Sequence, residues 1–197
     1  FTPLTGSTTV SALLADDAIS TAIPIGFTFY YMGIPYTNVY VSSNGFLSFN
    51  SGAGSSYSNA LTSGTSRPLA APFWDDLGGT ATGAKASYIT TGTAGSRIFT
   101  FEWLNWARTG GSSAVLSFQV KLYESNGIIQ FIYRSDAGTL SSASASIGLA
   151  ATLTGSGNFL SLSDASAAPT VSSITETSSI STKPVTDQVY TFTPPAI

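Results

Sequence analysis

Leu116-Ser-Phe-Gln-Val-Lys121-Leu-Tyr-Glu-Ser-Asn126-Gly127-Ile-Ile-Gln-Phe131 decides the fold class. Its first arm places Leu116, Phe118, Val120 and Leu122 on one side and Ser117, Gln119 and Lys121 on the other. That period of two belongs to a strand with one face in a core and one in water. Asn126-Gly127 then separates the arm from a second apolar run. Asn-Gly is the pair favoured in a two-residue type I′ turn, because both central residues need positive φ. The stretch reads as an antiparallel hairpin, and Val39-Tyr-Val-Ser-Ser-Asn44-Gly45-Phe-Leu-Ser-Phe49 repeats the pattern. Convergent turn chemistry explains so short a match as well as duplication does.

Outward from these hairpins, the same alternation predicts strands near 8–14, 27–31, 39–42, 46–49, 70–74, 86–90, 97–106, 114–124, 128–134, 144–149, 159–162 and 188–193. Residues 11–22 are the nearest approach to a helix, with poor capping. In 97–106, Phe99, Phe101 and Trp103 share one phase while Leu104 and Trp106 take the other, which predicts a bulge near Trp103. The Gly/Ser-rich stretch 50–66 reads as a surface loop, and 164–184 as a polar segment with a weak strand pattern at Val171, Ser173 and Thr175. Strands at this spacing, with no break in composition, make residues 1–197 one all-β domain, an antiparallel, jelly-roll-like sandwich.

Composition narrows the chemistry. The 197 residues include no His and no Cys, which excludes Ser-His-Asp and Cys-His catalysis, the common zinc sites and disulfides. Charged residues are 9% of the chain, against about 25% in an average soluble protein, while 32 Ser and 26 Thr supply uncharged polarity. A formal net charge of -3 leaves little repulsion between copies and favours association. With a pI near 4.6 and four scattered Arg, the chain lacks the basic stripe that a nucleic-acid partner needs. No apolar run is long enough to insert in a membrane. Because the sequence starts at Phe1 rather than Met, it is expected to be a mature, secreted product.

Trp74-Asp75-Asp76-Leu77-Gly78-Gly79 is the most conspicuous polar cluster. Asp75 and Asp76 are candidate calcium ligands, although neighbouring strand residues point to opposite faces and no Asp-x-Asn-x-Asp loop follows. The plainer reading has one Asp accepting backbone N–H bonds and the other solvated. Glu102 and Glu124 are the carboxylates a glycosidase dyad would use, but solvent-facing strand positions are the simpler account of both. No catalytic residue and no cofactor other than this calcium is expected. Trp74, Trp103 and Trp106 are candidates for a sugar-stacking platform, against the simpler reading of aromatics as core.

The chain ends are apolar where a lone domain usually carries charge. Phe1, Pro3, Leu4, Val10 and Leu13 in segment 1–14, and Tyr190 and Phe192 in segment 185–197, are therefore candidate assembly residues. Either segment could pack on its own sandwich or pair with a neighbour's edge strand.

Ile23-Pro-Ile-Gly-Phe27-Thr-Phe-Tyr-Tyr31, Tyr36-Thr-Asn-Val-Tyr-Val-Ser-Ser-Asn44-Gly45-Phe-Leu-Ser-Phe49 and Pro68-Leu-Ala-Ala-Pro72-Phe-Trp74-Asp75-Asp76-Leu77 carry a family resemblance that continues through most of residues 23 to 195. The chain resembles a β-sandwich module of secreted bacterial proteins, particularly type IX secretion cargo of Bacteroidota, and is loosely similar to the nidogen-type extracellular domain. That resemblance implies a secreted, extracellular or cell-surface role and carries no catalytic residues to transfer. Together these features lead to the expectation of a non-enzymatic structural protein that polymerises with itself into a filament, sheath or matrix. The alternative is a secreted adhesin or carbohydrate-binding module with glycans as partners.

Overall fold

A computed structural model describes residues 1–195. Its strands are β1 (Thr8–Thr9), β2 (Ile23–Tyr31), β3 (Ile34–Ser42), β4 (Phe46–Ser48), β5 (Leu69–Trp74), β6 (Leu77–Gly78), β7 (Lys85–Thr91), β8 (Ile98–Arg108), β9 (Leu116–Tyr123), β10 (Ile129–Ser135), β11 (Ser146–Ala150), β12 (Phe159–Leu162), β13 (Val171–Ser172) and β14 (Val189–Phe192). They form an all-β sandwich. The first sheet runs β1-β7-β8-β9-β10-β14, with β6 beside β8, and the second runs β13-β12-β11-β5-β4-β3-β2. Two antiparallel meanders, β2 to β5 and β7 to β10, supply most of the pairing. The helix-like stretch 11–22 reduces to one 3₁₀ turn, Ser11–Leu14.

Phe99, Phe101, Trp103, Phe118, Val120 and Phe131 on the first sheet meet Ile25, Phe29, Val41, Leu47 and Phe73 on the second in one apolar core. Polar tips of buried aromatics cross between the sheets. The indole N–H of Trp103 donates to Ser42 O at 2.9 Å, that of Trp106 to Ser43 O at 2.8 Å, and Tyr133 Oη to Pro72 O at 2.6 Å. The expected bulge is present. Register shifts between Trp103 and Trp106, where Asn105 takes φ 54°, and this keeps both indoles inside.

Both Asn-Gly hairpins form, but neither uses the two-residue turn expected above. Only Gly45 and Gly127 have positive φ; Asn44 and Asn126 do not. Ser42 pairs with Phe46 across the three-residue loop Ser43-Asn44-Gly45, and Tyr123 N–H reaches Ile128 O at 3.0 Å across a four-residue loop. These are the longer hairpin loops that place Gly at one left-handed position. The two-residue turn with both φ positive lies instead at Met32-Gly33, joining β2 to β3.

Both outer faces are covered. Loop 50–66 lies over the second sheet, where Phe46, Leu61, Leu69, Ala71, Trp74, Ala150 and Phe159 form a smaller buried cluster. Buried Arg67 fastens it, donating from Nε to Ala151 O at 2.8 Å, from Nη2 to Asn158 O at 2.7 Å, and also to Leu61 O and Leu153 O. The first sheet's outer face is polar, and the N-terminal segment lies across it.

Candidate functional site

On β7, β8 and β9, Ser87 pairs with Glu102 and Glu102 with Gln119, in the phase opposite to the core residues Phe101, Trp103, Phe118 and Val120. Alternation alone sends such a row toward water. All three are nevertheless buried, and residues 1–7 cross above Glu102 and Gln119. This corrects the expectation for Glu102, whose side chain has no exposed surface.

The segment is held mostly through its backbone. Leu4 N–H donates to Glu102 Oε2 at 3.1 Å and Oε1 at 3.3 Å. Gln119 Nε2 donates to Thr2 O at 2.8 Å and to Glu102 Oε2 at 2.6 Å. Lys85 Nζ donates to Ser7 Oγ at 3.0 Å, the Arg134 guanidinium lies 5.3 Å from the centre of the Phe1 ring, and the Phe1 nitrogen pairs with Asp187. Burial pushes the Glu102 carboxyl above the usual range, against the opposing pull of the bonds from Gln119 and Leu4 and the charges of Lys85 and Arg134. Among the described residues, Ser87 Oγ is buried without a hydrogen-bond partner.

A second polar group adjoins this row. Arg134 donates from Nε to Asp136 Oδ1 at 2.7 Å and from Nη2 to Asn105 Oδ1 at 2.6 Å and Ser117 Oγ at 2.9 Å; Ser117 Oγ in turn donates to Asp136 Oδ2 at 2.6 Å. The bulge that keeps the indoles inside is what turns Asn105 out to Arg134. Reading sequence alone missed Ser87, Gln119, Arg134, Asp136 and Asp187. The available signal was the run of uncharged polar residues at outward positions Ser87, Thr100, Ser117 and Gln119.

Asp75 and Asp76 line one cleft, but their carboxylates have different partners. Asp75 is buried; its Oδ1 accepts Asp76 N–H at 2.9 Å and its Oδ2 accepts Ser144 N–H at 3.0 Å, with Arg108 Nε at 3.7 Å. Asp76 lines the same cleft, and its carboxylate and those of Asp16 and Asp17 have oxygens within 4.8 Å of one another. Asn44 Nδ2 donates to Asp17 Oδ1 at 2.7 Å and Thr109 Oγ1 to Asp16 Oδ1 at 3.2 Å. Taken with one oxygen each, the three carboxylates supply three of the six to eight oxygens that Ca²⁺ takes. Beside Asp75 opens a polar cleft of about 450 Å³ lined by Tyr57, Asn59, Asp76, Arg108 and Glu176.

The aromatic platform is corrected. Trp103 and Trp106 are fully buried and Trp74 is 2% exposed, with its N–H on Ser56 O at 2.8 Å, so none offers a ring face to a sugar. Glu124 sits in the turn after β9, bonded to Arg97 at 2.6 Å and 2.9 Å. It lies five residues along the strand direction from Gln119, the partner of Glu102. At about 3.3 Å per residue their backbone positions stand roughly 16 Å apart along the sheet, and the two side chains bond different partners, Leu4 and Gln119 for Glu102 and Arg97 for Glu124.

The terminal segments divide into three behaviours. Val10 and Leu13 belong to the chain's own core, and β14 is an integral strand on β10, with Tyr190 buried and Phe192 half-buried. These residues are not free to leave as a strand for a neighbour without opening the sandwich. Of segment 185–197, Ala196 and Ile197 lie outside the described residues. Residues 1–7 dock on the surface; Phe1 and Leu4 are half-buried, and Thr2, Pro3, Thr5 and Gly6 are exposed. Among the described residues, no helix is long and apolar enough to cross a membrane.

No curated protein and no solved structure matches this chain. The family model described as NIDO related matches residues 1–194. That span runs from the segment lying on the first sheet to the residues beyond β14, and on it the chain belongs to the NIDO-related family.

Proposed function

We propose that this chain is a non-enzymatic extracellular structural module that associates with copies of itself into a filament, sheath or matrix. The observation that carries the reading is the docking of residues 1–7, a peripheral segment held by side chains that grip its backbone, with Thr2, Pro3, Thr5 and Gly6 exposed. A low charge density and a net charge of -3 leave copies free to approach. Export as type IX secretion cargo from a Bacteroidota cell fits the sequence resemblance and belongs to the same proposal. Electron microscopy of native material, with sedimentation of the purified chain over a concentration series, tests it. Regular fibres or a concentration-dependent rise in mass are expected, and dispersed monomers throughout would overturn it.

A second reading, a carbohydrate-binding adhesin, has the polar cleft beside Asp75 in its favour, since Tyr57, Asn59, Asp76 and Arg108 line an open recess. Saturable binding on a glycan array, lost in Asp76→Ala, is its expected result. An array without signal removes it.

A further inference from the structure

We propose that the polar outer face of the first sheet is an acceptor for residues 1–5 of a second copy of this chain. This rests on the self-association reading and names its donor and acceptor. The acceptor groups are Glu102, Gln119 and Arg134, which in this chain grip the Leu4 N–H, the Thr2 carbonyl and the Phe1 ring. None of those contacts depends on the segment being joined to the same sheet. An identical segment from another copy satisfies each of them.

Three features make exchange accessible. Gly6 links the segment to β1 with φ +65° and nothing within 4 Å of where a side chain would stand, so the joint is a residue with the widest backbone freedom. Thr2, Pro3 and Thr5 are exposed and Phe1 and Leu4 are half-buried, so leaving gives up the partial burial of two apolar side chains, which the same groove on a second copy restores. The segment also does not fill its groove. A trough of about 380 Å³ runs beside it toward Ile89, Thr100, Lys121 and Ile132, where an incoming segment can begin to dock before the resident one has left. The vacated face is polar, so water takes up the contacts that Glu102 and Gln119 release.

The chain has no cysteine, so single labels can be placed on the intact protein. One population carries a fluorescence donor at Thr5→Cys and another an acceptor at Thr91→Cys, both exposed positions beside the groove. Mixing should produce energy transfer that rises with concentration toward the efficiency of a single chain carrying both labels. Leu4→Pro in the donor population removes the N–H that Glu102 accepts and should weaken apparent affinity about tenfold or more. No transfer between populations, with the doubly labelled chain unchanged at every concentration, overturns the proposal. Microscopy of the same mixtures separates the two levels. Fibres without transfer retain self-association and reject this acceptor, while neither fibres nor transfer rejects both.

Discussion

The backbone N–H of Leu4 and the carboxylate of Glu102, 98 residues apart in sequence, meet at 3.1 and 3.3 Å on the outer face of the first sheet. A buried acid in that position makes stability depend on pH in a direction opposite to the usual one. Burial raises its folded pKa, so the folded chain keeps a proton that the unfolded chain has already released. The contribution is fully present below the ordinary carboxylate range and is lost as pH rises through the raised value. Wild type should melt at progressively lower temperature across that window, and Glu102→Gln should flatten the slope in a calorimetric or circular-dichroism series.

Glu124 has the opposite sign. The Arg97 guanidinium, with N–H groups of Arg97 and Gly95, holds it down at about 2. Its contribution is present above the ordinary carboxylate range and disappears as pH falls toward about 2. Glu124→Gln should shallow the acid limb of the melting curve and leave the limb governed by Glu102 in place.

Gly45 and Gly127 follow the same Ser-Asn sequence and should respond differently to alanine. A Cβ on Gly45 would meet Phe73 O at 2.0 Å with φ at +81°, whereas on Gly127 the nearest atom is Pro194 Cγ at 3.3 Å with φ at +68°. Gly45→Ala should cost more than about 3 kcal/mol, and Gly127→Ala about 1 kcal/mol. Denaturant titration of both variants checks the ratio.

Trp106→Phe keeps a ring in the core and removes the N–H that reaches Ser43 O. The orphaned carbonyl should cost about 1–3 kcal/mol. All three tryptophans are buried, so tryptophan emission should resist acrylamide quenching and remain unchanged by added oligosaccharide.

Asp16, Asp17 and Asp76 hold three carboxylates within 4.8 Å of one another. Asp16→Asn keeps an oxygen for the Thr109 hydroxyl and removes one charge. Relief of like-charge repulsion should raise the melting temperature by roughly 1–2 °C at low ionic strength, and the gain should shrink with added salt. A scanning-fluorimetry salt series reads both.

Local pattern carries sequence information well where one face of a strand is apolar. Leu116, Phe118, Val120 and Leu122 all lie on the buried side of β9, and the phase change at Trp103 became the observed bulge. Turn type was harder to read, because Asn-Gly suits both a two-residue turn and a longer loop, and the neighbouring sheet decides between them. At Gly45 that sheet is so close that only glycine fits. The candidate site was not legible. A strand shows which residues point outward, but not that residues 1–7 return to cover Glu102 and Gln119. Asp76 meets Asp16 and Asp17 for the same kind of reason, since long-range closure leaves no spacing rule in the chain.

The polar layer under residues 1–7 uncouples two events that an apolar cover would fuse. Lifting the segment wets Glu102 and Gln119, while Phe101, Trp103 and Phe118 stay sealed on the opposite face of the same strands. Local opening and global unfolding therefore have separate free energies. The Leu4 amide should trade its hydrogen with solvent at the frequency of the segment's own excursions, and the ladder amides between β8 and β9 only when the whole sandwich comes apart.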